Sequence, residues 1–152
     1  AAVRRACGPQ EEDVDFVHAL GRLLFRHDIF QEAEACYRRG LELDRAHGFC
    51  WVGLAASLHR SGRGDEAIKV LAEAVSDRLP GFWEAYSYLG CMLFDAGRAE
   101  EALVVLRRIP LDELRDPEAV SRLRCFLDMQ AHPERARVLE EIEARARKAR
   151  EQ

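Results

Sequence analysis

Leu20, Leu54, Leu89 and Leu123 stand 34, 35 and 34 residues apart. Leu24, Leu58, Leu93 and Leu127 repeat the same spacings, as do Ala33, Ala67, Ala102 and Ala136. The turn positions Asp28, Gly62, Gly97 and Ala131 form another such ladder, and Gly21, Ala55 and Gly90 form one of small residues that ends at Arg124. A period of this length means that each unit is one supersecondary element. Such a unit cannot bury its apolar face alone, so several must stack.

Each unit reads as two helices. Val17, Leu20 and Leu24, then Trp51, Leu54 and Leu58, recur three and four apart, which makes one stripe of an amphipathic helix. A short turn follows: HDIF, SGRG, DAGR or QAHP. A second helix then opens on acidic residues or proline. Asp65 is expected as its N-cap in unit two, with Glu66 at the positive end of the dipole. Pro133 suits a first helical turn, and Pro110 and Pro117 bracket the link between units three and four. No segment shows sustained strand alternation. The units are expected at about 14–47, 48–82 and 83–116, with a modified helix pair at 117–152 that caps the array. Residues 1–12 are expected to be a flexible segment outside it.

Composition excludes other classes. Apolar residues make up 48% and charged residues 33%, so the chain is globular and not disordered. A formal charge of −4, with arginines dispersed among carboxylates, argues against nucleic acid as a partner. No apolar run approaches the roughly 20 residues that a membrane span needs. The five cysteines are odd in number and contain no C-x-x-C pair. A reducing compartment, the cytoplasm, is therefore expected. The arginines of the first twelve residues have no apolar stretch behind them, unlike a signal peptide.

The repeats resemble the tetratricopeptide repeat family over about residues 14–143. Trp51 with Leu54-Ala55, and Tyr86 with Leu89-Gly90, match its first helix; Ala33 with Tyr37, and Ala67 with Leu71 and Ala74, match its second. The resemblance implies an all-α, right-handed solenoid of helical hairpins: three repeats and the C-terminal capping pair. Three features depart from the family pattern. One extra residue lies near Pro80, Gly64 stands where a large side chain is usual, and Arg124 replaces a small residue.

Such a stack exposes a concave groove lined by the first helix of each unit. The residues expected there are His18, Arg22, Phe25 and Arg26; Phe49, Val52, Ala56, His59 and Arg60; Glu84, Tyr88, Cys91, Phe94 and Asp95; and Arg122 and Cys125. Apolar side chains in the middle and mixed charges around them suit a peptide with apolar anchors. Some members of the family grip the C-terminal carboxylate of a heat-shock chaperone. The matching positions here are His18, Arg22, Gly53, Glu84 and Tyr88, and Glu84 would repel that group. A narrower resemblance, to class II chaperones of type III secretion, rests on the run Leu43 to Ser57. It implies an alternative role, as a dedicated chaperone holding an apolar client segment.

Catalysis is not expected. His59, Cys91 and Asp95 are nucleophile-type residues without an evident oxyanion element. His59, Cys91 and Cys125 lack the close spacing of a zinc site. Arg63-Gly64-Asp65 spells an adhesion tripeptide, but a turn followed by an N-cap explains it fully. The expectation is therefore a non-enzymatic adaptor without metal or cofactor, binding another protein or a peptide segment. A homodimer and membership of a larger complex both stay open.

Overall fold

The computed structural model describes residues 13–79, 81–106, 108–109, 140–141, 143–145, 147–148 and 151. Six helices have assigned bounds: α1 Val14–Arg26, α2 Phe30–Leu43, α3 Gly48–Arg60, α4 Gly64–Glu73, α5 Trp83–Asp95 and α6 Ala99–Leu106. They form three hairpins, α1–α2, α3–α4 and α5–α6. Residues 1–12 and most of the capping pair, with Arg122, Cys125, Arg124 and the fourth members of the ladders, lie outside the described residues.

One device closes all three hairpins. The N–H of Ile29 donates to the Leu24 carbonyl at 3.0 Å, that of Arg63 to Leu58 at 2.9 Å and that of Arg98 to Leu93 at 2.8 Å. These bonds run back over the helix end and require a left-handed residue immediately before the donor. Asp28, Gly62 and Gly97 supply it, with φ of 60°, 79° and 74°. Glycine takes this conformation freely and aspartate tolerates it. The same donor residue then opens the next helix, because Ala33, Ala67 and Ala102 donate to the carbonyls of Ile29, Arg63 and Arg98. The leucine, turn and alanine ladders are thus parts of one motif. It also moves the expected cap of α4. Arg63, not Asp65, is the junction residue, and Asp65 lies in the first turn with Glu66.

The extra residue is taken up inside a helix. α2 is followed by a four-residue link to α3. α4 continues into one wide π turn, Ala74–Arg78, in which the Leu79 N–H reaches the Ala74 carbonyl at 3.0 Å, and a four-residue link to α5 follows. A π turn holds one residue more than an α turn, so the longer unit keeps the same link.

The chain divides into two units, Ala1–Ala85 and Tyr86–Gln152. In the first, α2 packs between α1 and α3, and α3 packs on α4. Val17, Ala33, Cys50, Leu58, Ala67 and Leu71 are fully buried. Burial of a leucine of this kind contributes about 1.5–3 kcal/mol. Tyr37 of α2 fills a slot with glycine on both sides. A Cβ at Gly21 would lie 3.0 Å from its ring, and one at Gly53 only 2.4 Å from it. In the second unit, α5 lies so close to α6 that a Cβ at Gly90 would stand 2.7 Å from Leu106. Leu89, Leu93, Ala102, Leu106 and Ile109 form its core. An Arg145 side-chain N–H donates to the Ile109 carbonyl at 2.9 Å and ties the helical residues near 145 to the end of this hairpin.

Candidate functional site

α1 and α3 place His18, Arg22 and Phe25 beside Phe49, Val52, Ala56 and Arg60. Successive members are three or four residues apart, so each set lines one helix face. Two aromatic groups mark the ends of this face.

The first group lies at the helix starts. His47 caps α3: its Nδ1 accepts the Cys50 N–H at 3.2 Å. This fixes the other proton on Nε2, which points toward Asp15 at 3.6 Å. Asp13 caps α1 in the same way, accepting the Phe16 N–H at 2.6 Å. The His18 ring then lies 5.2 Å from that of His47, 5.8 Å from Phe49 and 6.0 Å from Tyr37. Phe49 meets Phe82 edge-on at 5.1 Å. Phe82 can lie there because Gly48 has no Cβ; one would sit 2.8 Å from its ring. Phe49 stays 50% exposed, an apolar ring held by three neighbours yet open to solvent.

The second group lies at the helix ends. Phe25 meets Phe30 edge-on at 5.3 Å, and the Arg60 guanidinium stands over both rings, at 5.8 and 5.0 Å. Arg60 also pairs with Asp28 at 3.3 Å. Arg22, Arg26 and His59 are exposed on the same side.

Burial holds the His18 imidazole below its ordinary pKa, and the nearby His47 and Arg22 push it further the same way, against a smaller opposing pull from Asp15. A base whose pKa is lower in the folded state adds stability above its unfolded value, near 6.5, and loses it as pH falls. The melting midpoint is therefore expected to drop between pH 7 and pH 5. His18→Asn should drop less, and equal slopes for the two proteins would exclude His18 as the source.

The other expected groove residues divide. Glu84 and Tyr88 are half-buried, and Asp95 is exposed. Val52, Cys91 and Phe94 are 8%, 9% and 6% exposed, which corrects the expectation of solvent-facing side chains at those three positions. Cys36, Cys50 and Cys91 are buried thiols. Burial, with smaller contributions from Asp44 and Asp15, raises Cys50 to about 12, so it stays protonated. No group of three metal-ligating side chains occurs among the described residues. Nor is any helix among them long and apolar enough to cross a membrane.

Arg63 of the adhesion-like tripeptide forks onto Glu66 at 2.8 and 2.6 Å and reaches Glu34 at 2.8 Å. Arg98 grips Glu101 in the same way, at 2.7 and 2.6 Å. The tripeptide is thus part of a recurring helix start. Each arginine holds its glutamate below the usual carboxylate range. Three site residues escaped the sequence reading: His47, Phe82 and Phe30. His47 and Phe82 fall 34 and 35 residues after Asp13 and each other, so extending the ladders by one position would have found them.

A three-fold helical hairpin with a shared turn motif defines a repeat scaffold. Two tetratricopeptide repeat family models match this chain, one over residues 18–81 and one over 58–124. The chain belongs to the tetratricopeptide repeat family. It is 30% identical over 91 residues to the tetratricopeptide repeat-containing protein trd-1 of Caenorhabditis elegans. That match covers 59% of this chain and 11% of the relative, so the chain spans only a small part of that protein. Among solved structures it is similar to MamA, with a TM-score of 0.66 and 14% identity, over 99% of this chain and 86% of that one. It is also similar to the Sgt2 tetratricopeptide domain from Aspergillus fumigatus, with a TM-score of 0.55 and 19% identity, over 91% and 82%. Both share its all-α helical-hairpin fold. The family consists of protein-interaction scaffolds, not enzymes, and this chain has that general role. The run Leu43 to Ser57 is the end of α2, a link and most of α3, which is the layout of any two adjoining repeats.

Proposed function

We propose that the α1–α3 face binds an extended segment of a partner protein, anchored by an apolar side chain against Phe49. The observation that carries this is Phe49 itself: half-exposed, yet ordered by Phe82, His18 and His47. A ring already held in place loses little freedom on binding, so its contact area becomes affinity. From Phe49 to Arg60 the face runs eleven helical steps, about 16 Å at 1.5 Å per residue. An extended segment of about five residues spans that length. Arg22, Arg26 and Arg60 give the far end a positive rim that suits polar or acidic flanking residues.

Selection from a displayed random-peptide library tests it. Selected peptides should carry an apolar residue beside polar or acidic ones. Phe49→Ala should weaken them more than tenfold, since an aromatic anchor is typically worth about 2 kcal/mol or more, while lowering the melting midpoint only slightly through the lost ring contacts with Phe82 and His18. Peptides that bind Phe49→Ala as well as the original chain would move the binding surface elsewhere.

A further inference from the structure

α1 has a second apolar face, apart from the one beside Phe49. Phe16 is 47% exposed and Leu23 52% exposed; Ala19 is exposed and Leu20 half-buried between them. These four positions, spaced three, four and seven apart, make one continuous seam. In α3 the equivalent positions are Cys50, Gly53, Leu54 and Ser57. That face packs on α2, with Cys50 against Gly40 and Gly53 against Tyr37. The seam on α1 is therefore the face that a repeat ordinarily turns toward another helix, and here its residues are larger and open.

The flanks of the seam carry opposite signs at opposite ends. Asp13 and Asp15 stand at the start of α1, and Arg22 and Arg26 near its end, all exposed. A second α1 laid antiparallel on the first brings Asp15 beside Arg22 and Arg26 of the other copy, twice over, and sets the two helix dipoles head to tail. A parallel arrangement would oppose like charges. Self-complementarity under a two-fold rotation is what an isologous contact requires.

We propose that two copies of this chain associate antiparallel through α1, with Phe16, Ala19, Leu20 and Leu23 in the seam. One 13-residue helix per copy is about 20 Å long. It gives a contact at the small end of specific interfaces, so the association is weak and concentration-dependent.

Sedimentation equilibrium of the full chain over a wide concentration range tests this. The average mass should rise toward twice that of one chain. Phe16→Glu combined with Leu23→Glu should abolish the rise while the melting midpoint holds. Asp15→Arg and Arg22→Asp place like charges across the seam, so each should weaken self-association about tenfold. Mixed one to one, these two variants should associate as well as the original, because each supplies the charge the other lacks. A single-chain mass at every concentration would overturn the proposal and mean that the seam is covered from within the chain or by another protein. So would association that survives the double glutamate variant, or a mixture no stronger than its components.

Discussion

Gly53→Ala is expected to destabilise this protein, although alanine is the better helix former. Inside a helix the exchange should gain about 1 kcal/mol from propensity alone. At Gly53 the new Cβ would stand 2.4 Å from the Tyr37 ring. The ring has little room to retreat, because it already lies against the Gly21 backbone, where even an added Cβ would stand only 3.0 Å from it. The net outcome is a loss of about 1–3 kcal/mol, the usual penalty of overpacking. Gly64→Ala is the matched control. Its Cβ would meet only His59, at an ordinary 3.7 Å, and it should gain about 0.4–1 kcal/mol by restricting the unfolded chain. Denaturant melts of both variants check the pair. A shift in the same direction for both would mean that Tyr37 does not occupy the slot. Combining Gly53→Ala with Tyr37→Ala should remove most of the coupling, since the two groups touch.

Phe94→Ala is expected to unfold the protein about as readily as Leu93→Ala. Phe94 is 6% exposed and Leu93 3%. Truncation leaves a cavity in each case, costing about 3–5 kcal/mol for phenylalanine and about 2–5 for leucine. The sequence reading placed the two residues on different faces, one for binding and one for packing. Tyr88, half-buried on the same helix, should cost less than either when cut to alanine. Thermal and denaturant unfolding of the three variants measure the order. A Phe94→Ala protein within about 0.5 kcal/mol of the original would have lost only a surface side chain.

Much of the fold was legible because it is periodic. The leucine, alanine and turn ladders each mark a part of one repeating motif, and their common spacing exposed the unit before any helix was drawn. The close approaches at Gly21 and Gly90 were legible for the same reason: a small residue recurring in register leaves room for a neighbour. Single positions were less so. Asp65 has the chemistry of an N-cap, but the bond from Arg63 back to Leu58 had already fixed the helix start. The extra residue was evident near Pro80, yet it lies within Ala74–Arg78. Helix-forming residues can propagate an α or a π turn, so their identity alone does not say which.

What the sequence determined by itself is the arrangement around each helix axis. Spacing sets the angle at which a side chain leaves the helix, and so it sorts Leu54 from Phe49 and Val17 from Phe16. What only the tertiary structure decided is how wide the covered stripe becomes. α3 has a helix on each side, and Val52 is buried as well as Leu54 and Leu58. α1 leaves Phe16 and Leu23 half-open, although the equivalent positions of α3, Cys50 and Ser57, are fully buried. Periodicity belongs to one helix, whereas exposure belongs to its neighbours, and the pattern of a single helix carries no record of how many neighbours it has.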